Sequence, residues 1–245
     1  MSLRRLALSI AVLLAVVAMV TAGFWQLHRL SERREHNAKV SDRGRLPAVE
    51  VQDLIEVGDD YEAGAELEFR TVQAVGVYEP GDQVLIRNRS YQGAAGYWVL
   101  TPLRLRSGSV VAVNRGWIPR GAEVPAGFAP PVGEVEVTGL VRSTVTAAGL
   151  QQPDPSNGVL AEMARPDLAR LSQQLEAQLL PVYVQLQAQT PPPGELPVPV
   201  PAPDLGEGSH LAYAVQWFVF ATIALVGYPL ILRHQKRSSA ETVDE

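Results

Sequence analysis

The sequence predicts a membrane protein in which two transmembrane helices flank a mostly antiparallel α+β extracytoplasmic domain. Three observations carry this expectation. Residues 6–27 and residues 211–232 are each a run of 22 residues without Asp, Glu, Lys, Arg or His, close to the roughly 20 that cross a bilayer as a helix. Basic residues crowd the outer ends of both runs: Arg4 and Arg5 before the first, Arg233, Lys236 and Arg237 after the second. Between the runs, short segments alternate apolar and polar residues with the period of half-buried strands.

The chain divides accordingly into an N-terminus (1–5), a first transmembrane helix (6–27), a charged connector (28–60), the α+β domain (61–190), a Pro-rich spacer (191–209), a second transmembrane helix (210–232) and a tail (233–245). Two crossings put both termini on one side, and the positive-inside rule makes that side the cytoplasm. The first run also has the n-region and small-residue site of a signal peptide, at Val20, Thr21 and Ala22. It is longer than an ordinary signal core and continues through Phe24, Trp25 and Leu27, so a retained anchor with Trp25 at the outer interface is the better reading.

Residues 28–45 are densely charged and free of proline, which suits a helix leaving the membrane, with Glu32 and His36 an i,i+4 pair. Eight acids and no base follow between Glu50 and Glu68, either a solvated segment or a negative surface for a basic partner. Alternation then predicts a strand over 67–77, a turn at Glu79-Pro80-Gly81-Asp82 into a strand over 83–89, and a hairpin of 97–106 with 109–117 around Ser107-Gly108. Further strands are expected over 133–142 and 182–187. Pro166, followed by Leu168, Leu171, Leu175 and Leu179, predicts one helix. Seven prolines within residues 191–203 predict an extended, semi-rigid polyproline spacer.

Composition excludes several functions. Residues 28–210 hold 16 Arg and Lys against 23 Asp and Glu, so nucleic acid is not an expected partner. Lys39 and Lys236 are the only lysines, and neither follows a glycine, which removes a P-loop. Cysteine is absent, which removes disulfides, thiol redox chemistry and covalent haem attachment. Methionine occurs only at 1, 19 and 163, too sparsely for a thioether copper site. No G-x-S-x-G or H-E-x-x-H motif occurs, and the protein is expected not to be an enzyme.

The most informative stretch opens the second run. At helical spacing His210, Tyr213, Trp217 and Phe220 share one face, placing a metal-competent imidazole and aromatic rings at the membrane surface. One reading is an interfacial aromatic belt; the other is a cofactor site, with His28 at the matching end of the first run as a second imidazole. In the hairpin, Arg115 and Trp117 are either turn and core residues or a recognition surface, since Arg and Trp are favoured at binding hot spots.

Several segments together resemble the surfeit locus protein 1 family of cytochrome c oxidase assembly factors: residues 23–29 (GFWQLHR), 96–103 (GYWVLTPL), 113–119 (VNRGWIP), and His210-x-x-Tyr213-x-x-x-Trp217-Phe218. The resemblance implies an integral membrane protein that binds haem a or helps deliver it to the catalytic subunit. It also implies a haem-associated role for His210; the helical stripe adds Tyr213 and Trp217, and the position at the end of the first run adds His28, as cofactor-binding candidates, while Arg115, Trp117, Trp25 and Gln26 are the expected partner contacts. The expected cofactor is haem a, with His210 on the iron. The expected partners are oxidase subunits, the membrane and a haem a synthesis enzyme. A scaffold that holds an oxidase assembly intermediate without binding haem is the alternative.

Overall fold

The computed structural model describes residues 3–122 and 128–241, except the side chains of Arg5 and residues 235–241. The basic side chains of Arg5, Lys236 and Arg237, and the end of the tail, therefore lie outside the described residues. The chain divides into two compact units, residues 1–38 with 204–245, and residues 39–203.

The first unit is built on two long helices, α1 (Leu3–Gly44) and α4 (His210–Glu241). Both are long and apolar enough to cross a membrane, and only 11% and 6% of their most apolar windows are buried. A helix that is apolar on all sides and yet uncovered by protein requires a non-aqueous solvent, which marks these as membrane spans rather than core helices. They pack antiparallel. The hydroxyls of Ser9 and Tyr228 are 2.9 Å apart, and the rings of Phe24 and Phe218 meet edge to face at 5.4 Å. Gly23 makes this approach possible, because a Cβ there would lie 2.7 Å from the Phe218 ring. Small residues at such contacts replace the hydrophobic drive that lipid abolishes.

The second unit is a β-barrel. Its strands are β1 (Val49–Glu50), β2 (Thr71–Tyr78), β3 (Val84–Tyr91), β4 (Ala94–Leu105), β5 (Val110–Pro119), β6 (Glu134–Ser143), β7 (Glu162–Met163) and β8 (Leu179–Thr190), with short helices α2 (Tyr61–Glu66) and α3 (Leu168–Ser172). Sheet order runs β1-β2-β6-β8-β5-β4-β3-β7, and an additional β2–β4 pairing closes β2, β6, β8, β5 and β4 into a ring. Five strands in this Greek-key order, with β5 and β8 parallel, give the connectivity of the OB class. Closure needs Gly76, where a Cβ would lie 2.2 Å from the Arg104 carbonyl oxygen.

Valine dominates the barrel interior: Val72, Val111, Val113, Val135, Val137, Val141, Val182 and Val184 are buried there with Leu103, Leu105 and Leu180. Ala112 faces a second cluster with Ile86, Leu100, Met163, Leu168 and Leu171. Strand β5 is thus covered on both faces, which is why its sequence is a continuous apolar run rather than an alternation.

The hairpin at Ser107-Gly108, the Glu79–Asp82 turn and the strand near 133–142 all form as expected. Three expectations are corrected. Leu67 does not begin a strand: the Asp60 side chain accepts from the Ala63 amide and caps α2, and Phe69 at φ +70 turns the chain before Thr71 starts β2. The leucine-faced helix is short, because Gln173 already caps α3; Leu175 and Leu179 pack on the same cluster as Leu168 and Leu171, but from outside the helix, Leu179 as the first residue of β8. Strand β8 starts before Pro181, which sits where the β5–β8 register shifts, a position that needs no amide hydrogen.

The proline run is not a free spacer. Val198 exchanges both backbone hydrogen bonds with Trp117, at 2.7 and 2.8 Å, and the Gln185 amide donates to the Pro201 carbonyl. Pro197 and Pro199 lack amide hydrogens, but alternate residues of an extended chain face opposite ways, so Val198 alone presents the edge that pairs.

Candidate functional site

The hairpin motif is built into the protein's interior. Between Val99 and Leu100 of β4 the pairing jumps from Gly116 to Asn114, so Arg115 occupies a bulge, which re-aims its side chain. Arg115 is 2% exposed; its guanidinium donates to the carbonyls of Phe128 at 2.8 Å and Ala129 at 3.1 Å and lies over the Tyr78 ring. Burial pushes its pKa down and that of Tyr78 up. Trp117 is 7% exposed and packs on Tyr91. Gly116, at φ +136, leaves room for the Val198 carbonyl, which a Cβ would meet at 2.3 Å. Of the two readings of Arg115 and Trp117, the recognition surface is therefore corrected and the core reading holds: the Arg115 side chain holds the 128–129 loop, the Trp117 ring packs on Tyr91 and donates to the Arg89 carbonyl, and the Trp117 backbone pairs with the proline segment.

The histidine motif is different, because it lies at an open site. In the first unit, α1 presents Trp25 near the end of the apolar run and Arg29, Glu32, Arg33 and His36 beyond it, on one face at helical spacing. With His210 these residues line an open cleft of about 540 Å³, within the size range of small-molecule sites. Arg29 lies 5.7 Å over the Trp25 ring and donates to Glu32 at 2.9 Å, holding that carboxyl below its usual range.

A polar seam fixes where His210 stands. Arg33 donates to the carbonyls of Gly206 and Asp204 at 3.0 and 2.9 Å, the Asn37 amide to that of Leu205 at 2.6 Å. Arg34 grips Glu207 with two bonds of 2.9 Å and holds its carboxyl below the ordinary range. Gly208 at φ +69 then turns the chain, and the Ser209 carbonyl accepts from the Tyr213 amide as the helix begins.

His210 Nδ1 lies 2.8 Å from Gln26 Oε1. An amide oxygen accepts, so this contact suits the neutral tautomer with its proton on Nδ1, which has its lone pair on Nε2. A hydrogen bond that fixes the tautomer and the ring is the usual support of a metal-binding imidazole. Gln26, expected to face a partner, instead orients His210.

The other expected residues divide. Trp25 lines the cleft. His28 does not; its side chain is 72% exposed and pairs with Glu32 at 3.3 Å. Tyr213 is half exposed, and Trp217 packs edge to face on Phe220 at 6.3 Å, on α4 outside the cleft lining. Sequence reasoning missed Arg29, Arg33 and His36 as members of this site. The available signal was the 25, 29, 32, 36 spacing, of which only the Glu32–His36 pair was read.

Among the described residues, no three His, Asp or Glu side chains gather to hold a metal ion. The cleft can offer one oriented imidazole nitrogen, an aromatic wall and guanidinium groups.

Comparison with known proteins bears on the same elements. A family model described as the SURF1 family matches residues 13–222. The chain is similar to a SURF1-like protein of Mycobacterium bovis, 28% identical over 89% of this chain and 81% of that one. A SURF1-like protein of Rickettsia felis is 26% identical over 92% and 97% of the two chains, and one of Monosiga brevicollis is 25% identical over 91% and 87%.

Proposed function

Because this chain belongs to the SURF1 family, whose membership supports a role in oxidase assembly, we propose that it binds haem a and passes it to the catalytic subunit of a cytochrome c oxidase. The observation that carries this reading is the His210–Gln26 contact, which leaves Nε2 free to ligate iron. The donor set fits the group. A single oriented imidazole suits a metal that brings its own equatorial ligands, as haem iron does, and the cleft of about 540 Å³ has an aromatic residue and arginines in its wall. His210 would hold the iron and Trp25 would contact the macrocycle; when bound, the group supplies the redox and oxygen chemistry of its eventual oxidase. This chain's own residues bind and orient it, with no catalytic step of their own.

The antiparallel α1–α4 pair puts both helix ends that carry chain termini at one end of the first unit. With the basic flanks at Arg4, Arg5, Arg233, Lys236 and Arg237, we assign both termini to the cytoplasm and the barrel to the outer side of the cell membrane. The partners in this reading are oxidase subunits, above all the haem-bearing one, and a haem a synthesis enzyme as donor. A scaffold without haem, holding an oxidase intermediate through Arg115, Trp117 and the acidic segment 50–68, is the second reading; Arg115 and Trp117 are buried, which leaves it the exposed acids of that segment.

Deleting the gene tests the proposal. Haem a oxidase activity is expected to fall while other membrane respiratory complexes keep theirs; undiminished oxidase activity and haem a content would overturn it.

A further inference from the structure

We propose that the β6–β7 loop, residues 144–161, is a lipid-contact surface that seats Val145, Leu150 and Val159 in the interfacial layer of the bilayer. The loop is set apart from its surroundings by charge. Residues 28–210 hold 16 Arg and Lys and 23 Asp and Glu, yet Asp154 is the only charged residue between Arg142 and Glu162. Its side chain is 4% exposed and is consumed within the fold, by Arg87 at 2.6 Å and by the Ala164 amide. The loop therefore shows solvent almost no charge. What it exposes are aliphatic side chains: Val145, Val159 at 82%, and Leu150 in full.

The stem of the loop holds these side chains outward. The Val145 amide donates to the Pro166 carbonyl at 3.0 Å, and Arg165 donates to the Gln152 carbonyl at 3.3 Å. Arg170 grips the Pro155 carbonyl through Nε and the Gly158 carbonyl through Nη2. Between these ties the Gln151 amide donates to the Ala148 carbonyl at 3.2 Å, closing a turn with Gly149 at φ +59 that carries Leu150. Leu160 packs on the cluster of Met163 and Leu171, and its neighbour Val159 is left facing out. Aliphatic side chains fixed in solvent gain by leaving it, and a loop without exposed charge enters an interface at little desolvation cost. The chain itself supplies the occupant. Pro203, the last residue of the barrel unit, lies seven positions before His210, where α4 begins, a reach of at most roughly 25 Å of extended chain. A soluble partner would have to be recruited to this surface, whereas lipid is always within the tether's length.

The absence of cysteine allows one label to test this in the full-length protein. Ala148→Cys, exposed in the same turn and carrying a bimane fluorophore, is reconstituted in phosphatidylcholine and phosphatidylglycerol vesicles that contain nitroxide-labelled phosphatidylcholine. The nitroxide lipid is expected to quench the label, and acrylamide in the water to quench it poorly. Adding Leu150→Ser and Val159→Ser to the labelled protein should lower the nitroxide quenching by about threefold, since the apolar area that drives insertion is gone, and should raise the acrylamide quenching. Both serines replace exposed side chains, and the first measurement needs neither of them. A label at 148 that acrylamide quenches freely and lipid nitroxide does not would overturn the proposal, and so would one shielded from both, which would mean that protein covers the loop. Nitroxide quenching unchanged by the two serines would overturn the part assigned to Leu150 and Val159.

Discussion

Gln26 Oε1 accepts the Nδ1 proton of His210 across 2.8 Å, joining two residues that lie 184 positions apart and fixing which imidazole nitrogen faces outward. The contact turns a histidine at a membrane edge into a directed ligand. Gln26→Leu is expected to weaken haemin binding about 10- to 100-fold, the usual consequence of losing a ligand's hydrogen-bonded support. Gln26→Glu, which still accepts the proton, is expected to retain binding. Titration followed in the Soret region checks both; equal loss in the two variants would show that the hydrogen bond is not what matters.

The Gly116 position should be intolerant of any side chain. Gly116→Ala places a Cβ 2.3 Å from the Val198 carbonyl oxygen at φ +136, so the two hydrogen bonds between Trp117 and Val198 are expected to break. A cost of about 1–3 kcal/mol follows from backbone strain of this kind. Thermal unfolding of the detergent-solubilised protein, with amide exchange at Val198, measures it; unchanged protection at Val198 would contradict the docked proline segment.

The barrel could be anticipated only in pieces. Strand alternation was legible where one face is solvated, as in β6 with Glu134 and Glu136 outside and Val135 and Val137 inside. Ring closure was not, because it depends on three residue pairs between β2 and β4 that no local pattern marks. Arg115 and Trp117 left a core and an interface reading open because their residue types serve both; a bulge in β5 turns Arg115 inward, and Trp117 packs on Tyr91. The proline run read as a spacer because prolines cannot sustain a ladder, yet one valine between two prolines suffices for a bridge. His210 was legible from its place at the mouth of an apolar run. Its partner Gln26 was not, since a contact between helices at opposite ends of the chain leaves no periodic trace.

The seam beside the site has a pH dependence of known sign. Glu207 has its carboxyl lowered by the hydrogen bond and charge of Arg34, so its contribution is fully present above the ordinary glutamate value of 4.5 and is lost as pH falls through the lowered folded-state value. Amide exchange at 205–208 should therefore differ between parent and Glu207→Gln at neutral pH and converge in acid. A difference that persists in strong acid would show that the ion pair is not the cause.

Topology is open to a direct check because the chain has no cysteine. With single cysteines at Ser107 and Ser238, an impermeant thiol reagent is expected to label only position 107 on intact cells. Labelling at 238 in sealed cells would reverse the assignment of the termini to the cytoplasm.

The central claim is that His210 supplies an iron ligand through Nε2. The measurement that bears on it most directly is the visible absorption spectrum of the detergent-purified protein, made in cells that synthesise haem a, beside those of His210→Ala and His28→Ala. The parent is expected to carry a Soret band that His210→Ala loses or shifts with membrane insertion unchanged, while His28→Ala, altered at a side chain outside the cleft lining, has a smaller effect. A His210→Ala protein with the parent's haem stoichiometry and Soret position would contradict the assignment.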